Sequence, residues 1–521
     1  MKIFRALFFA CLSMLLTTAC SHIPYRDGAL QSGRCSSEDF STSSATIDSS
    51  EEVDNDPCPV QRHVNGETSY ILSFVEFKDG ASEPDEIQES KLGELIDKIK
   101  AGGKNIILIT FVHGWHHDAS FDDDNVRSFK TALSYIDNFR QQRPDYANYE
   151  VVGLYVAWDG SAGVHCLACN IIGPPSVWSR EHESDRIAAP IALFLKRASA
   201  KVKGLVPGSI DYQSNKMLVV GHSFGGNIVL TGFQTDYLKA VEMLPPSYSV
   251  SDDRVPMISP VGDLVVLLNP ASPAEKWTKI QRAVRDRQGL TDLDRISVSD
   301  VEGTYGATLF SAEQRPILIS YTSACLNRSD VNYEKNYRNY SGCDEATNLL
   351  YPISEMLTSD ERRTTVGHLI PRIDGPRVGA THEFDINTGL SGESDAEATA
   401  RLVKTSYADA ARIVPGTCLS GAGWLKRAYA FGIQSDHDKI KEIYPNIWDT
   451  GKRGLALDGE HKTFAQYRKG LSVTGMLPSP ITVYNDPFWN VRTSSSVITS
   501  HNGIFSSSVW CSLTQILLDG I

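Results

Sequence analysis

Ser223 is the residue of this sequence whose setting most favours chemistry, because it stands between glycines where an apolar run ends. Residues 216–230 read KMLVVGHSFGGNIVL, so a second apolar pattern begins directly after the glycines. The first run predicts a buried strand and the second predicts a helix, with the serine on the turn between them. A serine on such a turn is held out of the sheet, near the positive end of the helix. The context therefore favours a nucleophile over an ordinary structural turn.

Two motifs together make the chain resemble a known family. One is the turn at Ser223, which Gly221 and Gly225 flank. The other is the pair His113-Gly114, which follows the buried apolar run NIILITFV. With both motifs, the chain resembles the α/β-hydrolases of the serine esterase and lipase type. The resemblance implies an α/β-hydrolase fold, with a mostly parallel central sheet, helices on both faces and a long insertion before the last strand.

The resemblance also gives a role to two backbone N–H groups. In the family, the N–H after the His-Gly pair and the N–H after the nucleophile hold the oxyanion. Here these groups belong to Trp115 and Phe224. Donors aimed at the developing negative charge are commonly worth about 3 kcal/mol each. The resemblance implies no cofactor.

The family places its catalytic histidine after the last strand, near the end of the chain. The run PFWNVRT predicts that strand, and the segment SSSVITSHNGIF at 494–505 follows it and contains His501. The segment resembles the G-H-x-x-I-F loop of related esterases, with Ser500 where glycine is often found. His437 and His461 fall in a less regular region and are interpreted as surface residues. We expect His501 to be the base.

The resemblance places the acid between the serine and the histidine, after a strand predicted at PILISYT. The family often writes this segment T-S-x-x-D-x-A-T, and two candidates follow the strand, Asp330 and Asp344. Asp344 begins the sequence Asp-Glu-Ala-Thr, which matches that ending. A disulfide between Cys325 and Cys343 would close off the residues before it and leave Asp344 near the strand end. Asp344 is therefore favoured as the carboxylate that orients the imidazole, and Asp330 stays open.

The histidines and aspartates after the His-Gly pair also invite a metal interpretation. A metallo-hydrolase of the H-x-H-x-D-H kind would need a histidine where Trp115 stands. The run Asp122, Asp123, Asp124 and Asn125 is interpreted as a helix start, because acidic residues suit the positive end of a helix. We therefore predict no metal site.

The elements that must position these side chains alternate along the chain. Strands are predicted at 70–77, 105–112, 150–158, 216–222, 263–269, 316–322 and 487–493, and helices at 84–100, from Asp123 or Asp124, at about 184–203, from Gly226, from Pro273 and around 508–518. This alternation predicts a mostly parallel sheet covered on both faces. We expect a hydrolase core at 61–386 and 481–521, with an insertion or cap at 387–480.

The first twenty residues have the layout of an export signal, with two basic residues, an apolar run and then small residues. The small residues before Cys20 resemble the lipobox of bacterial lipoproteins, although Thr17 stands where leucine is usual. This implies removal of residues 1–19 and a lipid on Cys20, with plain secretion as the alternative. The acidic, serine-rich region within 20–60 predicts a flexible tether. We expect an exported protein of the bacterial cell envelope, held to the membrane by its lipid.

The net charge and the hydropathy of the sequence limit the kinds of partner that we expect this protein to bind. The net charge of −13 argues against nucleic acid, whose phosphates need clustered Lys and Arg. After residue 20 no apolar run is long enough to predict a membrane span. No protein partner is evident from the sequence.

The cysteines fit an exported chain. Apart from Cys11 and Cys20, eight remain, and an even set outside the cytoplasm predicts disulfides whose pairing the sequence does not fix. Proximity and elimination suggest the pairs Cys325–Cys343, Cys35–Cys58 and Cys418–Cys511, with Cys166–Cys169 as a structural bridge.

These observations favour a hydrolase that cleaves small-molecule or lipid carboxylic esters through an acyl-enzyme. A lipase, a thioesterase or an amidase would use the same triad. A non-catalytic envelope protein that uses the fold as a binding scaffold is a further alternative, because fold does not fix function.

Overall fold

The computed structural model describes part of the chain. The described residues are 25–26, 35, 41–43, 56–65, 68–78, 80–141, 143–160, 173–205, 214–244, 248–249, 258, 261–287, 307–308, 314–323, 365–366, 382–384, 476–478, 487–493, 497–498 and 500–518. The predicted signal and Cys20 lie outside them, as does all of the predicted insertion at 387–480 except residues 476–478.

Eleven of the strands that the structure describes form one mostly parallel sheet. In chain order the described strands are β1 (Ser41–Ser43), β2 (Val60–Asn65), β3 (Thr68–Phe77), β4 (Asn105–Val112), β5 (Tyr149–Trp158), β6 (Lys216–His222), β7 (Tyr248–Ser249), β8 (Leu264–Leu268), β9 (Ala307–Thr308), β10 (Leu318–Ser323), β11 (His382–Phe384), β12 (Met476–Pro478) and β13 (Phe488–Thr493). The order across the sheet is β1-β2-β3-β5-β4-β6-β8-β10-β13-β11-β12, and β7 pairs separately with β9. Within the large sheet the pairs β2–β3 and β11–β12 are antiparallel, and the other described pairs are parallel.

Helices cover both faces of this sheet. The described α-helices are α1 (Glu86–Ala101), α2 (Asp124–Gln141), α3 (Gly173–Lys203), α4 (Phe224–Glu242), α5 (Ala274–Arg287) and α6 (Ser507–Leu518). Helices α1, α3, α4 and α5 contribute to the core on one face, whereas α2 and α6 contribute to the core on the other. The predicted α/β architecture is therefore confirmed. None of the described helices combines the length and the apolar character that crossing a membrane requires.

Strand β4 explains why the central strands read as continuous apolar runs. Leu108 and Val112 belong to the core on one face, and Ile107 and Phe111 belong to the core on the other. Successive side chains of a strand point to opposite faces, so a strand covered on both sides must be apolar at every position. The same reasoning applies to its neighbours β5 and β6, which are also buried almost throughout.

The sheet has a switch point between β4 and β6. From β4 the chain continues to β5 on one side, and from β6 it continues to β8 on the other side. In parallel α/β sheets, ligands bind beyond the carboxyl ends of the strands at such a point. Strand β4 ends directly before His113-Gly114, and β6 ends directly before Ser223. Both motifs of the sequence therefore meet at the place where topology favours a site.

The predicted tether within residues 20–60 contacts the α/β fold through Arg26. Its side chain is fully buried, with the guanidinium carbon 4.4 Å from the centre of the Phe74 ring. Its Nε donates to the carbonyl oxygen of Ala119 at 3.0 Å, and its backbone N–H donates to the carboxylate of Glu76 at 2.9 Å. The predicted flexible tether is therefore in contact with the fold at this position.

The predicted disulfide between Cys35 and Cys58 is confirmed. The two Cα atoms lie 5.5 Å apart, and the bond spans 23 residues of sequence. Cys58 is buried just before β2, so the bridge fixes a second point of this N-terminal segment to the start of that strand. Cys325, Cys343, Cys166, Cys169 and Cys418 lie outside the described residues, and Cys511 lies within the C-terminal helix α6, so the other three pairs stay predictions.

Candidate active site

Ser223 occupies a strained turn between β6 and α4. Its backbone has φ 54° and ψ −121°, a combination that a residue with a side chain rarely adopts. The flanking glycines explain how the turn closes. A Cβ on Gly221 would lie 2.6 Å from the carbonyl oxygen of Gly225, and one on Gly225 would lie 2.1 Å from that of Val112. The turn is therefore as tight as the sequence predicts for a nucleophile elbow.

Neighbouring backbone groups hold the serine in this conformation. The N–H of Ser223 donates to the carbonyl oxygen of Leu268 at the end of β8, at 3.2 Å. The carbonyl oxygen of Ser223 accepts from the N–H groups of Ala271 at 2.9 Å and Asn227 at 3.1 Å. Strained backbone persists where its surroundings over-determine it, and such strain clusters at functional sites.

The side chain of His501 reaches the hydroxyl of Ser223. His501 lies on the turn after β13 and before α6, and its Nε2 is 2.9 Å from Oγ of Ser223. This is the hydrogen-bond distance that a base needs to take a proton from a serine. The serine is buried and the imidazole is half-buried, so both groups lie at the edge of the core. The structure thus brings these two predicted residues together.

The His-Gly turn after β4 lies directly against the serine. A Cβ on Gly114 would be 2.6 Å from Cβ of Ser223, so a residue with a side chain does not fit there. Trp115 follows that glycine, and Phe224 follows the serine as the first residue of α4. The N–H of a first helical residue has no acceptor within its own helix. The two predicted oxyanion donors therefore belong to turns that are in van der Waals contact.

The ring of His113 fixes the His-Gly turn to β5. Its Nδ1 donates to the carbonyl oxygen of Gly114 at 2.8 Å, and its Nε2 accepts from the N–H of Trp158 at 3.1 Å. The indole N–H of Trp158 donates back to the carbonyl oxygen of His113 at 2.9 Å. Burial lowers the pKa of His113, which keeps the ring in the neutral form that these two hydrogen bonds require. The turn is therefore held rigidly.

The acidic run near this turn starts a helix. Oδ1 of Asp123 accepts from the N–H groups of Asn125 at 2.8 Å and Val126 at 3.2 Å, which caps α2. Oδ2 lies 3.0 Å from Nδ1 of His117. Burial acts to raise the pKa of Asp123, but the hydrogen bond and charge of His117 outweigh it and lower that pKa. Within the described residues, no group of three or more His, Cys, Asp or Glu side chains could hold a metal ion.

The predicted acid lies beyond the part of the chain that the structure describes. This applies to Asp344 and to the alternative Asp330. The strand that leads to them is described, and β10 ends at Ser323. The hydroxyl of Ser323 donates to the carbonyl oxygen of Ile498 at 2.7 Å, in the segment that precedes His501. The chain therefore leaves β10 beside the loop whose imidazole the acid is predicted to orient.

Two side chains near the site were not singled out in the sequence. Nδ2 of Asn269 lies 2.9 Å from the carbonyl oxygen of His501, and Nε2 of His222 lies 3.0 Å from the same oxygen. Asn269 directly follows β8, and His222 is the last residue of β6. The signal available in the sequence was that His222 adjoins the predicted nucleophile and that Asn269 ends the next predicted strand.

The comparisons with known proteins leave the family of this chain open. Searches of protein-family models, of curated proteins and of solved structures each found no match to the chain.

Proposed function

We propose that this chain is a serine hydrolase that cleaves carboxylic esters through an acyl-enzyme, and that its α/β sheet is an α/β-hydrolase fold. The observation that carries the proposal is the 2.9 Å contact between Nε2 of His501 and Oγ of Ser223 on a strained strand-to-helix turn. The His-Gly turn packed against the serine and the position of the histidine after β13 support the same fold.

In the proposed mechanism, His501 takes the proton of Ser223 as its oxygen attacks the ester carbonyl. The N–H groups of Trp115 and Phe224 stabilise the oxyanion of the tetrahedral intermediate. The alcohol leaves with a proton from the imidazolium, and water then attacks the acyl-enzyme by the same route. Asp344 holds the imidazole in the tautomer whose Nε2 accepts the serine proton, and it stabilises the imidazolium. The reaction requires no cofactor.

The proposed setting is the bacterial cell envelope, with Cys20 carrying the lipid. Arg26 is buried in the fold only six positions after Cys20. The chain between these two residues could span at most about 21 Å when fully extended. A lipid on Cys20 would therefore keep the body close to the membrane surface, where lipid esters are found.

The test is hydrolysis of p-nitrophenyl butyrate by the purified protein without its signal and by two variants. Ser223→Ala should lower kcat to the background rate while the unfolding midpoint stays near that of the wild type. Ser90 is an exposed serine on α1, and Ser90→Ala should keep full activity. Equal turnover in Ser223→Ala and the wild type would remove Ser223 from the mechanism. A wild type that neither turns over esters nor reacts with a fluorophosphonate would favour the non-catalytic scaffold.

A further inference from the structure

The loop that carries His501 is held by the carbonyl oxygen of that same residue. The oxygen accepts from Nδ2 of Asn269 at 2.9 Å and from Nε2 of His222 at 3.0 Å. Nδ2 of Asn269 also lies 3.1 Å from the carbonyl oxygen of Ser500. One donor is the last residue of β6 and the other directly follows β8, so two neighbouring strand ends supply donors to the peptide from which the imidazole projects.

Asn269 is itself fixed, so it can serve as a rigid donor. Its backbone has φ 41°, a left-handed conformation that asparagine tolerates better than most residues. Its N–H donates to the carbonyl oxygen of Tyr321 at 2.8 Å, and its Oδ1 accepts from the N–H of Ser323 at 2.8 Å. Because Oδ1 faces a donor, Nδ2 must face the carbonyl of His501, which settles the orientation of the amide.

His222 is a buried donor that is held neutral. Its Nε2 faces a carbonyl oxygen and must therefore carry the hydrogen. Its Nδ1 is buried, and among the described residues it has no hydrogen-bond partner. A Cβ on Gly114 would lie 3.3 Å from that Nδ1, so the ring fills the space between the His-Gly turn and His501. Burial, together with the charge of His501, lowers the pKa of His222 well below its ordinary value.

We propose that Asn269 and His222 are positioning residues that act together on the carbonyl oxygen of His501 and keep its Nε2 within hydrogen-bond reach of Ser223. The inference rests on the proposed function. Proton transfer needs the ring placed to within a fraction of an ångström, because a misplacement of about 1 Å can cost about a hundredfold in rate. The peptide of His501 belongs to no strand of the sheet, so side-chain donors must supply the support that a ladder would give.

The test compares variants that differ in one donor, with p-nitrophenyl butyrate as the substrate. Asn269→Asp keeps the acceptor for the N–H of Ser323 but turns a carboxylate toward the carbonyl of His501. Its kcat should fall about tenfold or more, with KM within about twofold of the wild type. His222→Leu should behave in the same way because leucine has no donor. His222→Gln, whose amide can donate from nearly the same place, should keep kcat within about threefold.

A destabilised control separates positioning from loss of structure. Leu133 packs on Gly153 in the core under α2, and Leu133→Ala should lower stability without lowering kcat. The positioning role is overturned if kcat is unchanged in both Asn269→Asp and His222→Leu. It is also overturned if KM alone rises, or if His222→Gln and His222→Leu lose kcat equally. If Asn269→Asp does not fold, the comparison of kcat between His222→Leu and His222→Gln tests the positioning role by itself. A wild type that is inactive and does not react with a fluorophosphonate would overturn the proposed function as well. The other outcomes concern only the positioning role and leave the proposed function intact.

Discussion

Nε2 of His501 lies 2.9 Å from Oγ of Ser223, although 278 residues separate them in sequence. The sheet makes this contact because β6 and β13 are parallel to one another and end at the same edge, with β8 and β10 between them. The loop after β13 must therefore cross back over the ends of two strands. Asn269, directly after β8, and Ser323, at the end of β10, both bond to this crossing segment.

The identity of the acid can be decided with two matched variants. Asp344→Asn should lower kcat for p-nitrophenyl butyrate about a thousandfold or more, because the amide favours the wrong imidazole tautomer. The kcat of Asp330→Asn should stay within about twofold of the wild type. This variant removes the same charge, but Asp330 is not the carboxylate favoured to orient the imidazole of His501. If the large loss occurs in Asp330→Asn instead, the carboxylate of the triad is Asp330.

Backbone strain at the nucleophile predicts that glycine at position 223 gives a more stable protein than alanine does. Glycine adopts positive φ without steric cost, whereas alanine retains the strain of serine. Ser223→Gly should therefore unfold at a higher urea concentration than Ser223→Ala, by about 1 kcal/mol in the free energy of unfolding. Both variants lack the nucleophile and should be inactive. Equal midpoints for the two would show that the strain at φ 54° is no larger than the entropic cost of placing glycine in a folded chain.

Close packing of the His-Gly turn predicts that it tolerates no added methyl group. Gly114→Ala would place a Cβ 2.6 Å from Cβ of Ser223, which must displace the turn or the nucleophile. We expect kcat/KM for p-nitrophenyl butyrate to fall about a hundredfold. Gly93→Ala provides the control, since a Cβ there meets nothing within 4 Å in the middle of α1. That variant should keep its activity and gain up to about 1 kcal/mol. Full activity in Gly114→Ala would contradict the geometry described for this turn.

The buried neutral ring of His222 predicts a pH dependence of stability. Burial and the charge of His501 lower its pKa below the ordinary value of 6.5. Below pH 6.5 the imidazole of residue 222 binds a proton in the unfolded chain but not in the folded chain. The contribution of the neutral ring to the free energy of unfolding is therefore complete above pH 6.5, and it is lost as the pH falls toward the pKa of the folded state.

His222→Gln lacks this titration, and comparing it with the wild type isolates the effect. In urea unfolding at pH 7.5 and 5.5, the wild type should lose about 1 kcal/mol more than the variant over that interval. Carboxylates and the other histidines titrate in both proteins and cancel in the difference. Identical losses would mean that His222 is protonated as readily in the folded chain as in the unfolded chain.

The central elements could be predicted closely from sequence because both faces of the sheet are covered. Strands β4 and β6 have the predicted limits, since continuous apolar runs bounded by polar or glycine residues mark buried strands. Helix α3 was predicted from about residue 184 but begins at Gly173. Two prolines follow Gly173, and proline suits the first turn of a helix, where its missing N–H is not needed. Helix α4 likewise begins at Phe224, two residues earlier than expected.

The edge strands could not be predicted in the same way. Strands β1, β11 and β12 have three residues each, too few to show an alternating pattern. These strands are recognised only by their hydrogen bonds to neighbouring strands. Such pairing exists only in the folded sheet and leaves no pattern in the local sequence.

Local sequence was enough to find Ser223 and the His-Gly turn, because tight turns need glycine at fixed positions. His501 followed from its place after the last predicted strand. Asn269 and His222 were missed because histidine and asparagine at strand ends are common. Their role depends on where a loop more than 230 residues later crosses the sheet.

The most direct test of the account is the site of covalent labelling by a fluorophosphonate, mapped by mass spectrometry of peptides from the folded protein. The account predicts one adduct per chain, on Ser223, with labelling lost in His501→Ala. His182 is an exposed histidine on α3, and His182→Ala should label like the wild type. An adduct on a different residue, or labelling of Ser223 that is equally fast without the imidazole of His501, would contradict it.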